Sequence, residues 1–288
     1  MKKYLSLVKF SHTIFALPFA FIGFYLGLIH QPEASRMVEI AFLVLLSMIF
    51  ARTSAMAFNR FLDRDIDGLN PRTAGREIPS GKVSPAAAKM LTFFSAILFV
   101  VATYFINPLC FYLSPIALAV VLGYSFTKRF TSASHFVLGL GLGLAPLGAY
   151  LAITGVFSIV PVLFSILVIT WVTGFDILYA LQDEEFDQQM GLRSIPVVLG
   201  AKGAIDLSNG LHILSAIIIV LISYLFWISG GPINLIFGIA SALFIFLLYY
   251  QHTLVKPRQY ERLNIAFFTT NGVASLIYGL AFIADYYW

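Results

Sequence analysis

Long apolar runs separated by short polar loops dominate this chain. Nine runs can be marked, approximately Phe10–Ile29, Val38–Phe58, Ala86–Ile106, Leu109–Phe126, Phe136–Val156, Val160–Leu181, Ala204–Ile228, Leu235–Tyr250 and Leu263–Tyr286. Each is near the roughly 20 residues a helix needs to cross a bilayer. Lipid offers no partner to backbone polar groups, so such a run spans as a helix. The pattern predicts an all-α integral membrane protein with nine transmembrane helices, forming one domain over residues 1–288. MKKYLSLVKF, ahead of the first run, could open a signal peptide, but no A-x-A-like cleavage site follows. A retained first helix is expected.

The loops alternate in charge. Arg64, Arg72, Arg76 and Lys82 follow the second run, Lys128 and Arg129 the fourth, Arg193 and Lys202 the sixth, and Lys256, Arg258 and Arg262 the eighth. Lys2 and Lys3 share that side, and Arg36 is the basic residue opposite. By the positive-inside rule the N-terminus and these four loops face the cytoplasm of a cell inner (plasma) membrane, and nine spans put the C-terminus outside.

Composition agrees with a bilayer setting: 59% of residues are hydrophobic and 11% charged, against about a quarter charged in soluble domains. The net charge of +4 does not indicate nucleic-acid binding, because the basic residues are spread over loops. Cys110 is the single cysteine and can form no internal disulfide.

The acids are not spread. Of 14, eight fall in two windows: Asp63, Asp65 and Asp67, then Asp176, Asp183, Glu184, Glu185 and Asp187. Each window ends an even-numbered run on the cytoplasmic side. In NRFLDRDID, residues 59–67, Asn59, Asp63 and Asp67 stand at i, i+4 and i+8, a stripe on one helix face. Arg52 lies on much the same face, inside the apolar run. Tyr179, Asp183 and Asp187 repeat the spacing. Like charges at i+4, near a helix C-terminus whose dipole is negative, oppose local stability. A bound cation is the simplest compensation. Asp65, Glu184 and Glu185 lie off the stripes and read as solvated helix-end charge, as do Arg60 and Arg64.

Past the acids the windows stay alike. Asp67 is followed by Arg72-Thr73 and Ile78-Pro79, Asp187 by Arg193-Ser194 and Ile195-Pro196. This suggests two weakly repeated halves, about 1–130 and 131–288, facing each other around a central cavity. Carboxylates suit Mg²⁺, which favours sites shared with substrate phosphates. Basic residues at the same mouth argue for an anion too, and a Mg²⁺-bridged diphosphate uses both signs. A membrane transporter with a cation site is the rival class, but such sites usually lie near the bilayer midplane.

These motifs resemble those of the UbiA-type membrane prenyltransferases, a family with nine transmembrane helices and two aspartate-rich motifs, N-D-x-x-D-x-x-x-D and D-x-x-x-D. Asn59, Asp63 and Asp67 match the first. Asp183 and Asp187 match the second, in the YALQDEEFD context with Tyr179. Arg72, Thr73, Arg76, Pro79, Ser80 and Gly81, and the YSFTKRFT stretch with Tyr124, Lys128 and Arg129, extend the match over essentially the whole chain. One departure is Arg60, where the family often has Asp. KFSHTIFALPFAFIGF is similar to a bacterial branch labelled 4-hydroxybenzoate polyprenyltransferase, some members of which are implicated in menaquinone synthesis through futalosine.

The resemblance implies Mg²⁺-dependent transfer of a polyprenyl group from polyprenyl diphosphate to an aromatic acid, 4-hydroxybenzoate or alternatively a dihydroxynaphthoate, in ubiquinone or menaquinone biosynthesis. It assigns Asn59, Asp63, Asp67, Asp183 and Asp187 to metal, with the four aspartates catalytic. Arg72, Tyr124, Lys128, Arg129 and Arg193 are assigned to the diphosphate. Arg52, Lys9, His12, Tyr179 and Asp176 are candidates for the aromatic substrate. No protein partner is implied. His135 reads as a polar helix-end residue. LGLGLGLAPLG, residues 138–148, lies in a span with no preceding strand, so its glycines read as close helix packing rather than a dinucleotide loop.

Overall fold

A computed structural model describes residues 2–7, 15–31, 36–228, 235–256, 260, 263 and 265–287. Lys9 and His12 lie outside the described residues. The elements, in chain order, are α1 (Lys2–Leu7), α2 (Leu17–His30), α3 (Met37–Leu62), α4 (Arg64–Leu69), α5 (Pro85–Ile106), α6 (Pro108–Thr127), α7 (Ser134–Thr154), α8 (Ile159–Ala180), α9 (Glu184–Gln189), α10 (Ile195–Ile228), α11 (Leu235–Leu254) and α12 (Asn271–Tyr287). A wide-turned segment, Ile265–Thr270, leads into α12. Among the described residues eight helical segments are long and apolar enough to cross a membrane, and the shorter apolar α2 corresponds to the first predicted run. The nine predicted runs thus map in order onto α2, α3, α5, α6, α7, α8, α10, α11 and α12. The seventh helix begins earlier than expected, at Ile195, and is broken at Gly200, whose φ of 68° favours a residue without Cβ.

Local chemistry sets the element ends. Asn107 separates α5 from α6: its side chain accepts the Cys110 N–H at 2.9 Å, and Pro108 follows as the first helical residue. Ser84 caps α5 in the same way, accepting the Ala87 N–H at 3.2 Å before Pro85. Gly155, at φ 65°, ends α7 in the left-handed region.

The main core joins α2, α7, α8, α10, α11 and α12 around Phe19, Trp171, Phe244 and Tyr278, all buried. Between membrane helices the hydrophobic effect gives little, so close van der Waals fit carries the association. The glycine run fits that account. A Cβ at Gly139 would lie 2.7 Å from the Ile169 carbonyl oxygen, and one at Gly143 3.0 Å from that of Ser165. Glycine at these positions therefore lets α7 lie backbone-close to α8. On another side of α8, a Cβ at Gly174 would overlap the His212 ring of α10. The helix that carries Asp176 and Tyr179 is therefore gripped from two directions.

Candidate active site

Both acid windows sit where a long helix stops and a six-residue helix takes over. α3 ends at Leu62, and Asp63 leaves helical geometry (φ −91°, ψ 5°). α4 then carries Asp65 and Asp67 in its first turn. α8 ends at Ala180, a tight turn spans Leu181–Asp183, and α9 carries Glu184, Glu185 and Asp187 in its first turn. The expected unbroken stripes are thus interrupted at Asp63 and at Asp183. The physical reason is the one that made the stripes costly. Restarting the helix moves the later acids from a negative C-terminal end to an N-terminal turn of free N–H groups. The register survives the break, since Asp63 N–H still donates to Asn59 O at 2.9 Å and Asp67 N–H to Asp63 O at 2.7 Å.

Burial separates stripe from flank. Asp67, Asp183 and Asp187 are buried at 5%, 7% and 2% exposure, while the Asp65 side chain is 80% exposed. Asn59 and Asp63 are half-buried, and Asn59 Nδ2 donates to Asp63 Oδ2 at 2.9 Å.

Arginines meet these carboxylates. Arg129 Nη2 donates to Asp63 Oδ1 at 2.9 Å and Arg76 Nη1 to Asp67 Oδ1 at 2.5 Å. Arg72 reaches across the windows, donating from Nε (2.9 Å) and Nη2 (2.5 Å) to the two oxygens of Asp183, and Asn70 Nδ2 adds a bond at 3.2 Å. Burial pushes the Asp63 carboxyl above the ordinary carboxylate range, against the pull of Arg129. Burial would lower Arg72, but the hydrogen bond and charge of Asp183 outweigh it and hold the guanidinium firmly charged.

Other predicted residues gather nearby. Tyr124 and Lys128 share a small pocket with Asn59, Asp63, Ser125, Ser134, Leu138 and Asp176. The Tyr179 ring lies 4.2 Å from that of Phe267, with the Arg72 guanidinium carbon 5.7 Å from its centroid. Arg52 is half-buried on α3 and interacts electrostatically with Tyr124. Arg193 turns elsewhere: its N–H donates to Lys128 O at 2.8 Å and its Nη1 to Phe130 O at 3.0 Å, bracing the loop after α6.

Arg60, His135 and Arg76 gain surroundings that their sequence reading did not supply. Arg60 is buried at 5% exposure, with Nη1 3.3 Å from Asn59 Oδ1, rather than solvated helix-end charge. His135 does stand at the start of α7, but it is a buried, partnered group: it is 1% exposed and bonds Asp176 Oδ2 through Nδ1 at 2.7 Å. Arg76, read as a basic residue at the same mouth and part of the matching segment but given no partner, holds Asp67. The RT…R spacing that groups it with Arg72 was the available signal.

Relationship to known proteins follows from this geometry. The description that matches residues 16–273 is that of the UbiA prenyltransferase family.

The chain belongs to the UbiA prenyltransferase family.

It is a multi-pass membrane prenyltransferase. It is 34% identical over 239 residues to the 4-hydroxybenzoate octaprenyltransferase of Aliivibrio fischeri, covering 81% of this chain and 79% of that one. The protein of the same name from Haemophilus ducreyi is 31% identical over 235 residues, covering 81% and 82%. A UbiA homologue from Aeropyrum pernix, solved in its apo form, superposes with a TM-score of 0.83 at 30% identity, over 96% of this chain and 98% of that one. A UbiA homologue from Archaeoglobus fulgidus, bound to GPP and Mg²⁺, shares the fold with a TM-score of 0.77 at 23% identity, over 99% and 100%.

Mg²⁺ in that homologue raises the question of fit for this UbiA chain. No three Asp, Glu, His or Cys side chains among the described residues are gathered tightly enough to hold an ion by themselves. Mg²⁺ rarely asks for that, since one or two carboxylates plus waters and substrate phosphates complete its shell. The positive observation is that Asp67 Oδ2 and Asp187 Oδ2 are buried without a hydrogen-bond partner. A buried carboxylate oxygen without a partner is costly unless a cation or donor reaches it. The donor set therefore fits a hard divalent cation.

Proposed function

We propose that this prenyltransferase transfers a polyprenyl group from polyprenyl diphosphate to an aromatic acid, 4-hydroxybenzoate, in quinone biosynthesis. Mg²⁺ is the proposed cofactor, held by Asn59, Asp63, Asp67, Asp183 and Asp187. The observation that carries the reading is the joining of the two windows: Asp67 and Asp187 are buried carboxylates with unpartnered oxygens, one in each window, and Arg72 already crosses from the first window to Asp183 of the second. A diphosphate needs both signs at one mouth. The curated relatives named for 4-hydroxybenzoate support the choice of acceptor.

When bound, Mg²⁺ would neutralise charge on the diphosphate and ease its departure. Arg72, Lys128 and Arg129, with the Tyr124 hydroxyl, supply positive charge and donors to the same oxygens, while Arg193 contributes by bracing the loop that carries Lys128 and Arg129. The allylic cation left by C–O cleavage is attacked by the electron-rich ring. The pocket walls contributed by α3, α6, α7 and α8 would limit the water that could otherwise capture it. Arg52, Tyr179 and Asp176 are assigned to the acceptor side. The basic loops put this mouth at the cytoplasmic face of the inner membrane, with the C-terminus outside. The two halves, about 1–130 and 131–288, each contribute one acid window.

Acceptor-dependent release of inorganic diphosphate tests the reading. Wild-type protein in detergent should release it with geranyl diphosphate, Mg²⁺ and 4-hydroxybenzoate, and Asp63→Asn and Asp183→Asn should not. Full activity in both variants, or release that ignores the acceptor, would overturn it. A dihydroxynaphthoate offered in parallel separates the two acceptor classes.

A further inference from the structure

One pocket carboxylate is unused by the diphosphate chemistry. Asp176 precedes Asp183 by seven residues on α8, about 10 Å deeper along the axis at roughly 1.5 Å per residue. It lines the same pocket as Asn59, Asp63, Tyr124 and Lys128. Asp63, Asp67 and Asp183 are each bonded by an arginine, whereas the hydrogen-bond partner of Asp176 is His135 of α7, at 2.7 Å. That bond engages Oδ2. Oδ1 accepts no hydrogen bond among the described residues, and the side chain keeps 23% exposure.

His135 is buried, and its Nε2 has no partner. A charged imidazole would need a partner for both N–H groups, so the arrangement favours the neutral ring with its proton on Nδ1, donated to Asp176. The imidazole therefore fixes one carboxylate oxygen and leaves the other free in the pocket it shares with Asn59 and Asp63. Asp63 and Asp176 line one small pocket, so a diphosphate held at Asp63 would bring its transferred carbon into the space that Asp176 faces.

We propose that Asp176, oriented by His135, is the base that takes the ring proton of the aromatic acceptor. This rests on the aromatic transfer proposed above. The prenyl C–O bond breaks, with its electron pair leaving on the diphosphate. A π pair of the ring forms the new C–C bond. The C–H bond at that carbon then breaks, its pair restores aromaticity, and the proton moves to Asp176 Oδ1. Asp176 is regenerated when this proton passes to the departing diphosphate or to water at the pocket mouth. Asp176 is the catalytic residue in this step, and His135 is a positioning residue.

The test uses full-length protein in detergent with geranyl diphosphate, Mg²⁺ and whichever of 4-hydroxybenzoate or dihydroxynaphthoate the wild type prenylates, each also ring-deuterated. Asp176→Asn should lower kcat by about 10²–10⁴-fold, the range of a lost general base. It should keep the thermal stabilisation given by geranyl diphosphate and Mg²⁺. Deuterated acceptor should show a larger primary isotope effect in this variant than in the wild type, because proton loss has become slow. Asp176→Glu should recover part of the rate. His135→Gln should lower kcat by up to about 10²-fold with little change in KM. An Asp176→Asn enzyme with wild-type kcat, with no rise in isotope effect, or with lost geranyl diphosphate binding overturns the assignment. Wild-type transfer alongside an unimpaired Asp176→Asn overturns this proposal alone, whereas no wild-type transfer to either acceptor overturns it together with the reading beneath it.

Discussion

The two acid windows are built alike and compensated differently. In each, a long helix gives way at an aspartate to a six-residue helix, and a second aspartate four residues on is buried. In the first window the cations come from nearby and from the turn after α6: Arg76 holds Asp67 and Arg129 holds Asp63. The second window borrows. Asp183 is clasped by Asn70 and Arg72, which follow the first window, and among the described residues no ion pair reaches Asp187. The similar backbone places four carboxylates; the dissimilar partners decide which of them await a cation. By this measure Asp187, at 2% exposure, is the position that most needs one.

The sharpest way to break this comparison is to neutralise one acid in each window. Asp63→Asn and Asp183→Asn should each reduce prenyl transfer by about 10²–10³-fold or more, as expected for losing one preorganised electrostatic contact, with the protein still folded in detergent. A large loss in one window and none in the other, read from product formation, would show that the windows do not act together.

The borrowed contact comes next. Arg72→Ala leaves Asp183 buried without its bidentate partner and should destabilise the metal-free protein by about 1–3 kcal/mol in thermal denaturation. The Arg72→Ala/Asp183→Asn pair should be less destabilising than the sum of its singles, with a coupling of about 0.5–3 kcal/mol for groups in contact. Strict additivity would remove the cross-window clasp.

Asp63 supplies a pH signature. Its carboxyl is pushed up by burial, so its charged form is the unfavourable one in the folded protein. For a carboxyl raised on folding, stability is fully present below the unfolded value, about 3.9, and is lost as pH rises through the higher folded one. Metal-free wild type should therefore lose thermal stability across that interval, and Asp63→Asn should lose less of it. In the same interval protons compete with Mg²⁺, so apparent Mg²⁺ affinity measured by stabilisation should weaken as pH falls. A pH-independent Mg²⁺ response would contradict the assignment of Asp63.

The smallest effect is expected off the stripes. Asp65→Asn and Glu185→Gln remove exposed charges and should change stability by no more than about 0.5 kcal/mol and leave transfer rates close to wild type.

Much of this was legible in the sequence because the bilayer simplifies the rules. Nine apolar runs map onto the helices, and the i+4 spacing of Asn59, Asp63 and Asp67 survives as a chain of backbone bonds. Spacing did not reveal that the helix breaks at Asp63 and Asp183, because periodicity records which residues share a face and is silent on a kink that keeps that register. Nor did it reveal partners from distant segments. Arg60 reads as helix-end charge when its neighbours are all sequential, and as a buried group once α3 is packed. His135 looks like a polar start to a helix until α8 brings Asp176 to 2.7 Å. Arg193 matches Arg72 in position after its acids, yet it braces Phe130, since which carbonyl or carboxylate lies in reach is a tertiary fact.

The glycine contacts of α8 have a mechanical consequence. Against α7 the helix is met by backbone at Gly139 and Gly143, and against α10 the His212 ring fills the space beside Gly174. At Gly139 and Gly143 the carbonyl oxygens of Ile169 and Ser165, together with the Thr173 and Ile169 side chains, occupy the space a Cβ would need, so any larger residue there would push α8 away from α7. Asp176, Tyr179 and the start of the Asp183 turn are thus carried by the helix whose position these small residues set.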